Sequence, residues 1–258
     1  MVISLKTLLL SANPVQQLEQ LIVEHKLENL EPTLAALEMK IPKGYNHKNN
    51  LTHSLQVLQN AVDRETGGPD LILRTAALFH DIGKPDTREF HENKTVSFTN
   101  HDVVGAKIVK QILPKHGYGK EEIKEIAQLV FMHMRSHTFK TGWTESAVRR
   151  LTTHAGSETQ LDRLIILFYS DATTKHDDKK NVIHKNVTEL AEAVTKVKTK
   201  DLRATLRPAL NGNQIAELFN LQPGPELGKI MKLLNKDENV GLTEKETISL
   251  ITETLKQN

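Results

Sequence analysis

The chain contains no cysteine. Disulfides, thiolate nucleophiles and zinc sites of the cysteine type are therefore excluded, and the composition suits a reducing compartment. No uninterrupted apolar run is long enough to span a bilayer. The amino terminus, MVISLKTLLLSANP, lacks the clustered basic start and cleavage site of a signal peptide, so a cytoplasmic, membrane-free protein is expected. Charge of one sign is lacking too. The net charge is only +2, and any nucleic-acid contact must come from a local patch. Glycine and proline are sparse, with 13 and 9 in 258 residues. Strand-like alternation is nearly absent, and most segments show helical spacing, which predicts an all-α fold. With 38% hydrophobic and 26% charged residues, the composition is that of an ordinary globular chain with a core for one large or two small domains.

What is abundant is histidine, at twelve residues. The periodicity predicts a helix pair over 3–40 broken near Ser11-Pro14, a turn over 41–50, and a helix over 50–64. A further helix is expected over 69–82, with Pro69 in its first turn and Gly83 and Pro85 ending it. A polar loop with a short extended piece at Thr95–Phe98 follows. Asn100 is placed to cap a helix over 101–114, and helices are expected near 120–135, 144–155 and 158–175. The charged stretch KHDDKKNVIHK reads as a solvated loop or helix end. Two more helical segments complete the chain.

Polar residues then fall where apolar ones are expected. The central helix, apolar nearly all round, ends in LFHDIGKPDTREF, a run that puts His80 and Asp81 at a buried helix end. The dipeptide alone carries little weight, because His101-Asp102 and His176-Asp177 repeat it. His133 lies on the stripe of Ile126 and Val130, and Asp171 on that of Leu164 and Phe168. A carboxylate facing a core needs an ion pair, hydrogen bonds or a metal; Arg163 and Lys175 are the nearby cations. His53 lies roughly opposite the stripe of Leu51, Leu55, Leu58 and Val62, so it points inward only if its helix is covered on two sides. A single histidine on an apolar face is more often a hydrogen-bonded core residue than a ligand. Several such residues on separate helices favour a ligand cage, since imidazole and carboxylate are the usual donors for transition metals.

This pattern resembles the HD superfamily of metal-dependent phosphohydrolases, whose signature H…HD…D is met by His53, His80-Asp81 and Asp171. The wider chain is similar to the carboxy-terminal part of bacterial CCA-adding tRNA nucleotidyltransferases. NLTHSLQVL, ALFHDIGKPDTREF and FTNHDVVGAKIVKQIL look like that family's metal segments and next helix, and LNGNQIAELFNLQPGPELGKIMKLL like its terminal region. The resemblance implies a helical segment over 1–46, an HD metal-binding domain over 47–180 and a helical region over 181–258. The family's nucleotidyltransferase head carries Gly-Ser followed by Asp-x-Asp. That combination does not occur here, so the chain is not expected to add CCA by itself.

The activity implied is hydrolysis of a nucleotide, cyclic phosphate or RNA-end phosphoester, of the 2′,3′-cyclic phosphodiesterase or phosphatase type. His53, His80, Asp81 and Asp171 would hold one divalent ion (Mn, Ni, Co, Fe, Zn or Mg). Some relatives hold two ions through H…HD…H…H…D, which His101 and His133 complete with Asp81 bridging; alternatively, His101 binds substrate or acts as acid and base. Asp81, His101 and Lys84 are the expected catalytic residues. Lys84, Arg149 and Lys175 are the expected substrate contacts, the alternative for each being a solvated surface charge. Two other readings stand beside this one. One is the tRNA-binding body of a split CCA-adding enzyme, working with a separate head protein. The other is a di-iron oxygenase of the same superfamily. On the first reading, Asp81→Ala abolishes metal binding and hydrolysis while leaving the fold largely intact; normal turnover by the variant refutes the metal site.

Overall fold

A computed structural model describes the chain except for residues 1–3, 40, 41, 43, 44, 46–48, 140–142, 175, 206, 207, 237, 238, 240, 257 and 258. The architecture is all-α with one short hairpin. The helices are α1 (Leu5–Leu9), α2 (Pro14–Val23), α3 (Leu27–Leu30), α4 (Pro32–Ala35), α5 (Asn50–Val62), α6 (Leu71–Phe79), α7 (His101–Ile112), α8 (Lys120–Met132), α9 (Arg135–Thr138), α10 (Glu145–Ala155), α11 (Glu158–Asp171), α12 (Asp177–Thr205), α13 (Gly212–Phe219), α14 (Pro225–Leu234) and α15 (Glu244–Lys256). Among the described residues no helix is long and apolar enough to cross a membrane. The chain divides into two compact units, residues 1–192 and 193–258.

In the first unit α6 is the central helix. Every residue from Ile72 to Phe79 is buried, because α5, α8 and α11 all pack against it. Asp70, rather than Pro69, begins this helix, its carboxylate accepting from the Leu73 amide at 3.0 Å. The expected all-apolar surface is broken by Thr75 and by Arg74, which is only 3% exposed. Its Nε donates to Glu65 Oε1 at 2.8 Å and its Nη2 to Oε2 at 2.5 Å. Its Nη1 donates to the carbonyls of Leu9 and Ser11 at 2.7 and 2.8 Å. A buried guanidinium thus closes the carboxyl end of α1, whose last carbonyls would otherwise lack donors. Helix α5 is covered on a broad face: Ser54 and Val57 are buried along with Leu51, Leu55 and Leu58, so the condition for an inward His53 is met.

Other boundaries differ from expectation for local reasons. The second member of the amino-terminal pair is not one helix but α2 followed by the short turns α3 and α4. Glu31 is extended between them and caps Thr33, and Pro32 at the start of α4 has no amide with which to continue α3. The loop after α6 contains a hairpin, β1 (Arg88–Phe90) with β2 (Val96–Phe98), in which Arg88 faces Phe98 and Phe90 faces Val96. Asn100 occupies the cap position of α7 but caps nothing with its side chain; it adopts a left-handed φ of 62°, which asparagine tolerates. The charged stretch, read as a solvated loop or a helix end, is a helix end: it opens α12, with Asp177 and Asp178 in its first turn, where acidic groups favour a helix amino end. Most of the turn expected over 41–50 lies outside the described residues.

The second unit has its own core of Leu210, Ile215, Ile230, Leu234 and Ile251, with Phe219, Met231 and Ile248 packed against it. Asn211 caps α13, and Gln214 returns a hydrogen bond to the Asn211 amide at 2.9 Å. Beyond the charged stretch the sequence predicts two helical segments, whereas the described residues form four, α12, α13, α14 and α15.

Replacing Arg74 by Ala leaves Glu65 buried without its counter-charge and strips donors from the Leu9 and Ser11 carbonyls. The expected loss is about 3–5 kcal/mol of unfolding free energy, read from the midpoint of a denaturant titration.

Candidate metal centre

Six side chains from five segments converge in the first unit. His53 comes from the second turn of α5, and His80 is the cap at the carboxyl end of α6, with Asp81 next to it. His101 opens α7, His133 caps α8, and Asp171 is the last residue of α11. Helix ends supply most of the set for a local reason. At a carboxyl cap the ring Nδ1 reaches back to the free carbonyl of the last turn. His80 Nδ1 donates to Ala77 O at 2.9 Å, and His133 Nδ1 to Val130 O at 2.6 Å. His101 Nδ1 donates to Phe98 O at 2.8 Å, and His53 Nδ1 lies 2.9 Å from Thr173 Oγ1.

In His80, His101 and His133 the Nδ1–H is spent on a carbonyl, which turns Nε2 toward the centre, the arrangement that orients histidine as a metal ligand; the Thr173 hydroxyl beside His53 Nδ1 can donate or accept. The centre has two halves. His53 Nε2 and His80 Nε2 are 3.1 Å apart and lie 3.4 and 3.3 Å from Asp81 Oδ2. Asp171 Oδ1 is 3.0 Å from His53 Nε2 and 3.6 Å from His80 Nε2. His101 Nε2 and His133 Nε2 are 3.2 Å apart and lie 3.3 and 3.8 Å from the other oxygen, Asp81 Oδ1. Ring nitrogens this close need a proton or a metal ion between them. Both His53-His80-Asp81 and Asp81-His101-His133 are close enough to hold a metal ion.

The electrostatics make the same point. Burial pushes His80 down, yet the Asp81 and Asp171 carboxylates outweigh it and raise its pKa to about 10. Burial pushes Asp81 up, and His80, His101 and Lys84 together hold it well below the usual carboxylate range. His133 is pushed down to about 3, first by burial and then by the charge of His80. The acids therefore favour a cation beside His53 and His80, and His133 stays a neutral donor.

Lys84 donates to Asp81 Oδ2 at 2.6 Å and lines the same cavity, of about 700 Å³. Arg149 is not brought to the site: on α10 its guanidinium meets Glu145 at 3.4 Å, and it does not line the cavity. Lys175 lies outside the described residues. Arg163, one candidate partner for Asp171, is engaged elsewhere, with Asp70 at 2.7 Å and Glu125 at 3.0 Å.

Two positioning residues were not anticipated. Thr173 orients His53, and nothing in the sequence marks it. Gly83 was read only as a helix stop. A Cβ there would collide with the His101 carbonyl oxygen and come 2.6 Å from the Gly105 amide nitrogen. The glycine pair Gly83 and Gly105, each shortly after a ligand, was the available signal for close backbone approach.

The HD domain family model matches residues 50–176. The chain carries an HD domain. HD domains characterise a superfamily of metal-dependent phosphohydrolases, and the cluster lies within the matched residues. Over 199 residues the chain is 28% identical to the A-adding tRNA nucleotidyltransferase of Deinococcus radiodurans, covering 77% of this chain and 44% of that protein. Over 204 residues it is 30% identical to the CC-adding tRNA nucleotidyltransferase of Thermus thermophilus, covering 79% and 44%. A Ribonuclease Y of Campylobacter curvus is 33% identical over 97 residues, 36% of this chain and 17% of that protein. The chain thus spans less than half the length of these relatives, and its likeness to the two nucleotidyltransferases extends beyond the HD domain.

Gly83→Ala forces the turn after Asp81 away from the start of α7. Overpacking of this kind is expected to cost about 1–3 kcal/mol, measured by chemical denaturation, with a loosened His101 visible as a changed imidazole resonance.

Proposed function

We propose that the HD domain hydrolyses a phosphoester of a nucleotide, a cyclic phosphate or an RNA end, with the 2′,3′-cyclic phosphodiester as the representative substrate. The observation that carries this reading is the set of four histidines whose Nδ1 atoms are occupied outside the centre while their Nε2 atoms meet around Asp81 and Asp171. Such nitrogen and oxygen donors suit Mn, Fe, Co, Ni or Zn, and Mg less well. His53, His80, Asp81 and Asp171 would hold one ion. Asp81, His101 and His133 would hold a second, so that the Asp81 carboxylate bridges. A divalent ion here supplies a water of lowered pKa and neutralises charge on phosphoryl oxygens.

The chain's own residues do the rest. Asp81 divides its two oxygens between the histidine pairs and sets their separation. His101 serves as a donor to the centre, because its Nε2 faces Asp81 and His133. Lys84 brings an ammonium to the cavity wall beside Asp81, within reach of a phosphoryl oxygen. The nucleotidyltransferases and the ribonuclease among the relatives support a nucleotide or RNA-end substrate.

A second reading rests on a separate observation. The likeness to the tRNA nucleotidyltransferases runs past the HD domain into flanking helices, which supports a role in holding tRNA.

Metal content measured together with hydrolysis of a chromogenic phosphodiester, 2′,3′-cyclic AMP and AMP, with added Mn, Ni, Co or Mg, tests the proposal. The expected outcome is two ions per chain, turnover abolished by chelation, and a drop to one ion in His133→Ala. One ion in the unaltered chain removes the bridging role. A chain that binds no metal and shows no turnover refutes the hydrolase, and tRNA binding in a gel-shift assay would then support the second reading.

A further inference from the structure

Asn50 begins α5, three residues before His53, and so lies on the same side of the helix one turn earlier. It is only 2% exposed. Its Nδ2 is buried and has no hydrogen-bond partner among the described residues. A buried amide donor left unpaired is destabilising, and native proteins keep few of them. Asn50 is one of the residues that line the cavity, with His53, Asp81, Lys84 and Asp171.

Position and unmet capacity coincide. The neighbouring Asn49 already caps the helix, its Oδ1 accepting from the Thr52 amide at 2.9 Å. Asn50 is therefore not needed as the cap. An apolar residue of similar volume would fill the space without an orphaned donor.

We infer that Asn50 is a substrate-binding residue, whose Nδ2 donates to an oxygen of the phosphoester held at the metal centre. The inference rests on the phosphohydrolase reading and deepens it. Asn50 contributes a neutral donor beside the charged Lys84, and its hydrogen bond forms only when an oxygen ligand enters. The donor's cost is carried by the free protein and relieved on binding, so stability and affinity should move in opposite directions when it is removed.

The competing explanation is a water held between Asn50 Nδ2 and Ser54 Oγ, which is also buried and unpartnered one turn later. In that case Asn50 is structural, and its loss lowers stability without touching affinity.

The test compares the full metal-loaded chain with Asn50→Leu, which replaces the amide by a similar apolar volume, and Asn50→Ala, which adds no bulk. Metal content, thermal midpoint, and affinity for AMP and for inorganic phosphate are measured on each. For Asn50→Leu we expect unchanged metal content, a thermal midpoint equal to or a few degrees above the unaltered chain, and affinity for AMP weakened about ten-fold. Asn50→Ala should weaken AMP to a similar extent. Undiminished affinity in either folded variant overturns the inference alone, as does loss of folding in both variants. If the unaltered chain binds neither AMP nor phosphate, the inference falls together with the phosphohydrolase reading.

Discussion

The constraint on which the first unit depends is the burial of the Asp81 carboxylate. A charge only 1% exposed is tolerable only when surrounded by donors or cations. Its two oxygens are served from different directions: Oδ2 by His53, His80 and Lys84, and Oδ1 by His101 and His133. To bring those groups together, α6 and α8 must each end, and α7 must begin, within a few ångströms of one point. The close backbone approach of Gly83 to His101 and Gly105 is a consequence of that demand, and so is the absence of a side chain at those two positions.

Helix termini make this economical in polar groups. An α-helix ends with carbonyls that lack intrahelical donors. In α6 and α8 the histidine at the cap satisfies one of them with Nδ1 and turns Nε2 outward from the helix end. One side chain thereby closes a helix and supplies a ligand. The same logic, with a different residue, closes α1. Arg74 satisfies the carbonyls of Leu9 and Ser11 from inside the neighbouring helix and is itself balanced by Glu65. Among the buried polar networks of the first unit, one around Arg74 thus lies toward the amino-terminal end of α6 and one around Asp81 at its carboxyl end.

Much of this was legible before any coordinates. Three-and-four spacing gave α5, α7, α8, α10 and α11 to within a few residues, because each has one continuous apolar stripe. His133 and Asp171 stood out because they interrupt such stripes, and a buried polar group is costly without a reason. His53 did not stand out, since its inward direction depends on α5 being covered on two sides, a property of its neighbours. Arg74 was overlooked for the same reason. In sequence it is a single charged residue on a mostly apolar helix, and its burial is decided by Glu65 and by the end of α1, 65 residues away along the chain. The helical start of α12 was masked by charge: its lysines and aspartates are solvated in either conformation, so composition could not separate loop from helix.

The sequence by itself determined the all-α class, the removal of thiol chemistry and the approximate helix limits, which follow from local periodicity and side-chain type; the set of candidate ligands was what the resemblance to the HD superfamily implied. Only the tertiary structure decided how the ligands divide into two groups around Asp81, that Arg149 stands away from them, that Thr173 and Gly83 hold two of them in place, and that Asn50 presents an unpaired donor beside them. Those facts depend on distances between segments up to 120 residues apart in the chain, and such distances are set by packing of the whole unit rather than by any local preference.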